Sequence, residues 1–233
     1  MERKGADSRI RPTGRMQVVS SVVPPAYVKP APLFLRAGFW FCVVIAIAVV
    51  IRRLAALAGS PRPSTSPNAA LDLAFANHAT LTLAHIIPAL IFVLLAPVML
   101  LRKGSRFAWV DRLFYPVGAV VGLTAYAMSA YSIGGWVERS AVLVFDSLFL
   151  FSLWQAYFYK RVPDPIRERR WLLRAVVVLL GIATTRPVMG IFFATSRFTH
   201  LVPQQFFGMA FWIGFSINAI AVELWLRRRE RFT

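Results

Sequence analysis

The stretch "LLGIATTRPVMGIFF", residues 179–193, is apolar enough to lie inside a membrane, yet it carries Arg186 with Pro187 directly behind it. An arginine at the centre of a spanning helix costs about 2.5–3.5 kcal/mol on insertion scales, so such a span must supply a partner, a watery cavity or a task for it. If the stretch spans, the chain is a membrane protein with an internal charge. If it does not, Arg186 is an ordinary surface residue. Composition decides between the two. Apolar residues make up 58% of the 233, charged residues 16% and aromatics 14%. The mean hydropathy is +0.59, which takes the chain out of the range of soluble domains and into that of polytopic membrane proteins.

About 20 apolar residues are needed to cross about 30 Å of hydrocarbon. Six segments meet or approach that length, at 33–51, 78–101, 113–134, 140–159, 171–193 and 205–226. The reading is an all-α, six-helix transmembrane bundle over 33–226. Residues 1–32, polar and basic and then proline-containing ("VVPPAYVKPAP"), read as a disordered cytoplasmic tail with a stiff extended end. Residues 227–233 form a basic cytoplasmic end. The longest connection, 52–77, contains "GSPRPSTSPN" and reads as an irregular surface loop. "LAALAGS" after the first span resembles a signal-peptidase site. The charged region before that span is too long for a signal peptide and Arg52-Arg53 interrupts the approach, so the first span is read as permanent.

Orientation follows from counting Lys and Arg in the connections. The N-terminal tail holds six, the 102–112 loop four, the 160–170 loop five and the C-terminal end four, nineteen in all on one side. The 52–77, 135–139 and 194–204 connections hold three, one and one, five in all on the other. That bias places both termini in the cytoplasm. It also assigns the net charge of +17 to the lipid bilayer and its anionic phospholipid headgroups, with no nucleic acid as partner. Tryptophans in "RKGSRFAWVDRLFYPVG" and "YKRVPDPIRERRWLLR" sit where aromatic rings anchor a membrane interface. In the second segment Asp164 or Glu168 suits the start of a helix. The glycines of "SIGGW", 132–136, end the third span and permit a tight turn.

With this topology Arg186, Asp146 and His85 each lie about 10 Å below the outer ends of their spans, at about 1.5 Å of rise per residue. Above or around them come Asn77, His78, Thr184, Thr185, Thr199, His200, Gln204 and Gln205. The expectation is an outward-facing polar pocket walled by the second, fourth, fifth and sixth spans, with Arg186 paired to Asp146 and His85 on its border. A kink is expected at Pro187, with the freed carbonyl near residue 183 met by Thr184 or water. Such a pair can also serve only to fix helix register. Asn218, deeper on the last span, should hydrogen-bond to another helix or face the same pocket. Glu223 is placed to pair with Arg227 one turn on.

Other chemistry is poorly supported by the residues. Cys42 is the single cysteine, so neither an intramolecular disulfide nor a CxxC motif exists, and it reads as packing. His78 and His85 lie about 10 Å apart along one helix, so they cannot chelate one ion as an i, i+4 pair would. No HExxH, no Cys/His cluster and no G-x-S-x-G elbow is present, so no metal is expected and no catalytic residue can be named. One haem b held by His85 or His78 with His200 is the cofactor alternative.

Several segments together carry a likeness. "VDRLFYPVG" (110–118), "SIGGW", "ERRWLLRAVVVLLGIATTRP" (168–187) and "FWIGFSINAIAVELW" (211–225) resemble an uncharacterised family of bacterial predicted multi-pass membrane proteins, a domain of unknown function. The family has an H-R-x-x-G loop, an H-R-x-W-M-x-R entry to a late helix, an arginine further along it, and a final helix bearing W, N and E. The likeness covers about 70–226. Matching residues are Arg112, Arg169, Trp171, Arg174, Arg186, Trp212, Asn218 and Glu223, with His85 a looser match. Asp111 and Glu168 stand where the family has histidine, which implies that any histidine-dependent binding in relatives is lost or changed here. The resemblance implies a bacterial cytoplasmic (inner) membrane and a topology, without an activity. The functional expectation is a non-enzymatic membrane protein that binds or moves a small polar or anionic solute through Arg186, Asp146, His85, His78, His200 and Asn218, with no cofactor. The alternatives are the single-haem redox protein and a scaffold or assembly subunit without ligand.

Overall fold

A computed structural model describes residues 32–59, 73, 75–101 and 108–230. The expectations for the tail before Pro32, for 60–72, for 102–107 and for 231–233 lie outside the described residues. Within them every regular element is a helix: α1 (Leu33–Ala58), α2 (Ala79–Leu101), α3 (Ala108–Ser129), α4 (Gly135–Arg161), α5 (Pro165–Leu179), α6 (Gly181–Thr199) and α7 (Pro203–Glu230). Five helical runs are long and apolar enough to cross a membrane: α1, α2, α4, the joined run Pro165–Ser196, and Gln204–Arg229 within α7. The stretch expected as the third span is α3, which carries Asp111 and Arg112 near its start and is not among these five. Large apolar side chains such as Trp109, Phe151, Trp154 and Ile217 stand on the outside of the bundle, where lipid can cover them.

Two ends organise the bundle. At one, the α2 entry meets the α3 exit through the His78 ring stacked 3.7 Å from Tyr131. The α1 exit meets the segment before α2 there, with the Arg53 guanidinium 4.0 Å over Phe75. At the other end Lys160 of α4 bridges Asp111 of α3 at 2.9 Å. The Tyr115 hydroxyl of α3 donates to Glu168 of α5 at 3.3 Å. The chain therefore runs up and down as hydropathy suggested. The basic segments 160–170 and 227–229 lie at the second end, called the basic end below.

The helix boundaries have local causes. Asp164 caps α5 by accepting from the Arg167 backbone N–H at 3.0 Å, with Pro165 in the first turn; such a cap contributes about 1 kcal/mol. The run through residue 186 is broken, but not where proline suggested. The break falls at Leu180, which ends α5 and begins α6, and α6 continues through Pro187. Breaking a helix leaves its last carbonyls without intrahelical donors. Asn218 of α7 supplies one, donating from Nδ2 to the Val177 carbonyl at 2.9 Å, while its Oδ1 accepts from Thr184 at 2.8 Å. Thr184 is therefore engaged by α7, and Thr185 Oγ1 donates to the Ile182 carbonyl at 2.7 Å.

Small residues bring α6 and α7 together. A Cβ on Gly214 would lie 2.7 Å from the Thr185 backbone nitrogen, which cannot yield as a side chain can. One Cβ on Gly190 would meet nothing within 4 Å. Gly214→Val should therefore sharply reduce the monodisperse fraction of detergent-purified protein, whereas Gly190→Ala should leave it unchanged. Size-exclusion profiles of the two variants check this.

Candidate functional site

Between the helices lies a cavity of about 240 Å³. Its wall is drawn from α1, α2, α3, α4, α5, α6 and α7 together with the α3–α4 turn. That differs from the expected pocket, because α1 closes one side through Ala46, Val49, Val50 and Arg53. α1 packs on α2 and α6. Cys42 contributes to that seam, with its sulfur 3.6 Å from Thr184 Oγ1. The Thr184 proton already goes to Asn218, so the thiol is the donor.

The lining is graded along the helices. Toward the α3–α4 turn come Thr82, Ser129, Ser132 and Glu138; in the middle come His85, Asp146 and Arg186; beyond them Ala89, Val93, Val121, Phe149, Val178 and Phe215 leave only apolar surface. The gradient follows from helix order, since residues 82 to 93 on α2 and 138 to 149 on α4 each descend about 16 Å from the same end at about 1.5 Å per residue.

Arg186, Asp146 and His85 thus do share one space. The expected ion pair is not formed, however, for no salt bridge within 4.0 Å joins Arg186 to Asp146 among the described residues. Arg186 Nε and Asp146 Oδ2 are both buried without a hydrogen-bond partner. The charges that bear on Arg186 are Arg53, Arg52 and Glu138. Glu138 was placed in a surface connection by hydropathy. It is buried, in the first turn of α4, and its Oε2 accepts from the Gly134 backbone N–H at 2.6 Å. The readable signal was an acid within the first turn after a glycine break, where the helix dipole favours it. Gly134 matters sterically as well, since a Cβ there would lie 2.9 Å from the Gly208 nitrogen of α7.

The histidines separate. His85 Nδ1 lies 3.0 Å from Thr124 Oγ1, whose own proton is directed to the Val120 and Val121 carbonyls at 2.7 and 3.0 Å. The imidazole is therefore the donor and is held in place. His78 lines a neighbouring space of about 30 Å³ with Tyr131. His200 lines neither, but ends α6 as an exposed residue at φ 53°. Asn218 also lies away from the cavity, committed to Thr184 and Val177 as described above. Of the outer polar residues, Thr184 and Thr185 serve helix packing, Gln205 accepts from the Val202 N–H at 3.1 Å, and Asn77 and Gln204 are exposed. The Thr199 side chain lies outside what the structure describes. Among the described residues no group of three His, Cys, Asp or Glu converges on one point.

The residues that carry the family likeness fall largely at the basic end. Arg174 holds Glu223 through two bonds, Nε to Oε2 at 2.9 Å and Nη2 to Oε1 at 3.1 Å, and stacks 4.5 Å over Trp171. Glu223 thus pairs across helices, with Arg227 at 3.7 Å as a second contact. Trp212 donates to Ser140 at 3.2 Å and ties α7 to α4. Compared with models of known families, with curated proteins and with solved structures, the chain gives no match.

The Arg174–Glu223 fork should show a coupling of about 1 kcal/mol in a double-mutant cycle of Arg174→Ala and Glu223→Ala. Reversible unfolding in mixed micelles measures it, and additive losses would mean that the pair contributes nothing.

Proposed function

We propose that this chain is a six-span protein of a bacterial cytoplasmic membrane, with α3 as the sixth span and both ends in the cytoplasm, that binds a small polar solute carrying an anionic group. The observation that carries the reading is the Arg186 guanidinium, whose Nε is buried without a partner beside the central cavity. A buried donor left unmatched costs about 1–3 kcal/mol, more when charged, and a carboxylate or phosphate oxygen offsets that cost. The topology rests on the positive-inside bias, with nineteen basic residues at one end and five at the other.

Binding raises stability by RT ln(1 + [L]/Kd), about 2.7 kcal/mol at 100 times Kd. A thermal-shift series of detergent-purified protein with small carboxylates, amino acids and inorganic phosphate should include one that stabilises the wild type. Arg186→Gln should weaken that effect at least tenfold in apparent affinity, about 1.4 kcal/mol. Equal stabilisation of both proteins, or a wild type that responds to none of the series, would overturn the assignment.

A further inference from the structure

We infer that the solute is a zwitterion with an apolar body, of the chemical class of an aliphatic or aromatic α-amino acid, bound by its carboxylate on Arg186 and its ammonium on Asp146. This rests on the anion-binding reading above and narrows it.

The first ground is that two groups of opposite sign are left unmatched in the same cavity. Arg186 Nε is a buried donor and Asp146 Oδ2 a buried acceptor, neither has a hydrogen bond, and they do not close on one another. A simple anion would satisfy Arg186 and leave Asp146 facing a second negative charge. A simple cation would do the reverse. One molecule carrying both an acceptor and a donor satisfies both groups at once, and the matched charges leave no net charge buried.

The second ground is the balance of the lining. Arg186, Glu138 and Asp146 line the one space together, so side chains of both signs are available to a single occupant. His85 is fixed by Thr124 rather than free to swing toward the occupant. Apart from Arg186, the α6 and α7 side chains that line the same cavity are apolar, among them Ile182, Ala183, Phe211 and Phe215.

The third ground is the surface beyond the charged layer. Phe149, Phe215, Val93, Val121, Val178 and Ala89 form a pocket floor with no polar side chain. A hydrocarbon body is stabilised there by about 25 cal/mol per Å² of apolar surface withdrawn from water. A cavity of about 240 Å³ lies below the about 300–1,000 Å³ usual for drug-sized ligands. It suits a body of the size of a leucine or phenylalanine side chain rather than a lipid.

Thermal-shift titration of the detergent-purified full chain tests this with four probes: L-leucine, 4-methylpentanoate, 3-methylbutylamine and glycine. L-leucine should bind at least tenfold more tightly than each of the other three, which lack the ammonium, the carboxylate and the apolar body respectively. Asp146→Asn should reduce the preference for leucine over 4-methylpentanoate to less than threefold, and Ala89→Phe, which fills the floor, should weaken leucine while sparing glycine. If 4-methylpentanoate matches leucine on the wild type, the zwitterion assignment fails while the anion site stands. If glycine matches leucine, the apolar body is wrong. If neither leucine nor 4-methylpentanoate binds, while phosphate binds through Arg186, the inference fails and the broader reading survives; if no anionic probe binds, both fail. The wild-type series decides these outcomes even where Asp146→Asn does not fold.

Discussion

A guanidinium held inside an apolar bundle with its Nε buried and unpartnered is the constraint around which the rest of this structure is arranged. The helix that carries Arg186, α6, is held closely against α7. Gly214 lets the α7 backbone approach Thr185, and Asn218 holds both the end of α5 and the start of α6. The space that remains is lined by charge in its middle and by phenylalanine and valine beyond.

The basic end has the opposite character. Its charges are matched in pairs across helices: Lys160 with Asp111, and Arg174 with Glu223. Tyr115 connects two of the elements involved, donating to Glu168 and lying under Lys160 at 5.3 Å. Asp111 and Glu168 both belong to this network of α3, α4 and α5. Exposed ion pairs contribute little individually, about 0–1 kcal/mol each. With the Tyr115–Glu168 hydrogen bond, the two ion pairs join α3 to α4, α5 to α7 and α3 to α5 at this end.

Much of this was legible in the sequence, and the limits are physical. Long apolar runs gave α1, α2, α4 and α7, because hydrocarbon thickness sets their length directly. The start of α5 was readable at Asp164-Pro165 from capping chemistry. The common layer of Arg186, Asp146 and His85 followed from the rise per residue. Whether two groups in one layer touch depends on helix rotation and spacing, which hydropathy does not contain, so the Arg186–Asp146 pair was expected and is not formed. The break at Leu180 was hidden because Pro187 offered a stronger local signal, while the cause lies at Asn218, far along the chain. Glu138 was missed because a charge next to a turn resembles a surface residue until the turn folds inward over it. The part played by α1 was invisible for a similar reason: Ala46, Val49 and Val50 look like any lipid-facing run.

The central claim is that Arg186 and Asp146 are reserved for a solute rather than for each other. A double-mutant cycle of Arg186→Gln and Asp146→Asn on the stability of solute-free protein, by reversible unfolding in mixed micelles, measures it directly. The structure requires losses that add to within about 0.5 kcal/mol; a coupling of about 2 kcal/mol or more would show a closed ion pair and contradict the account.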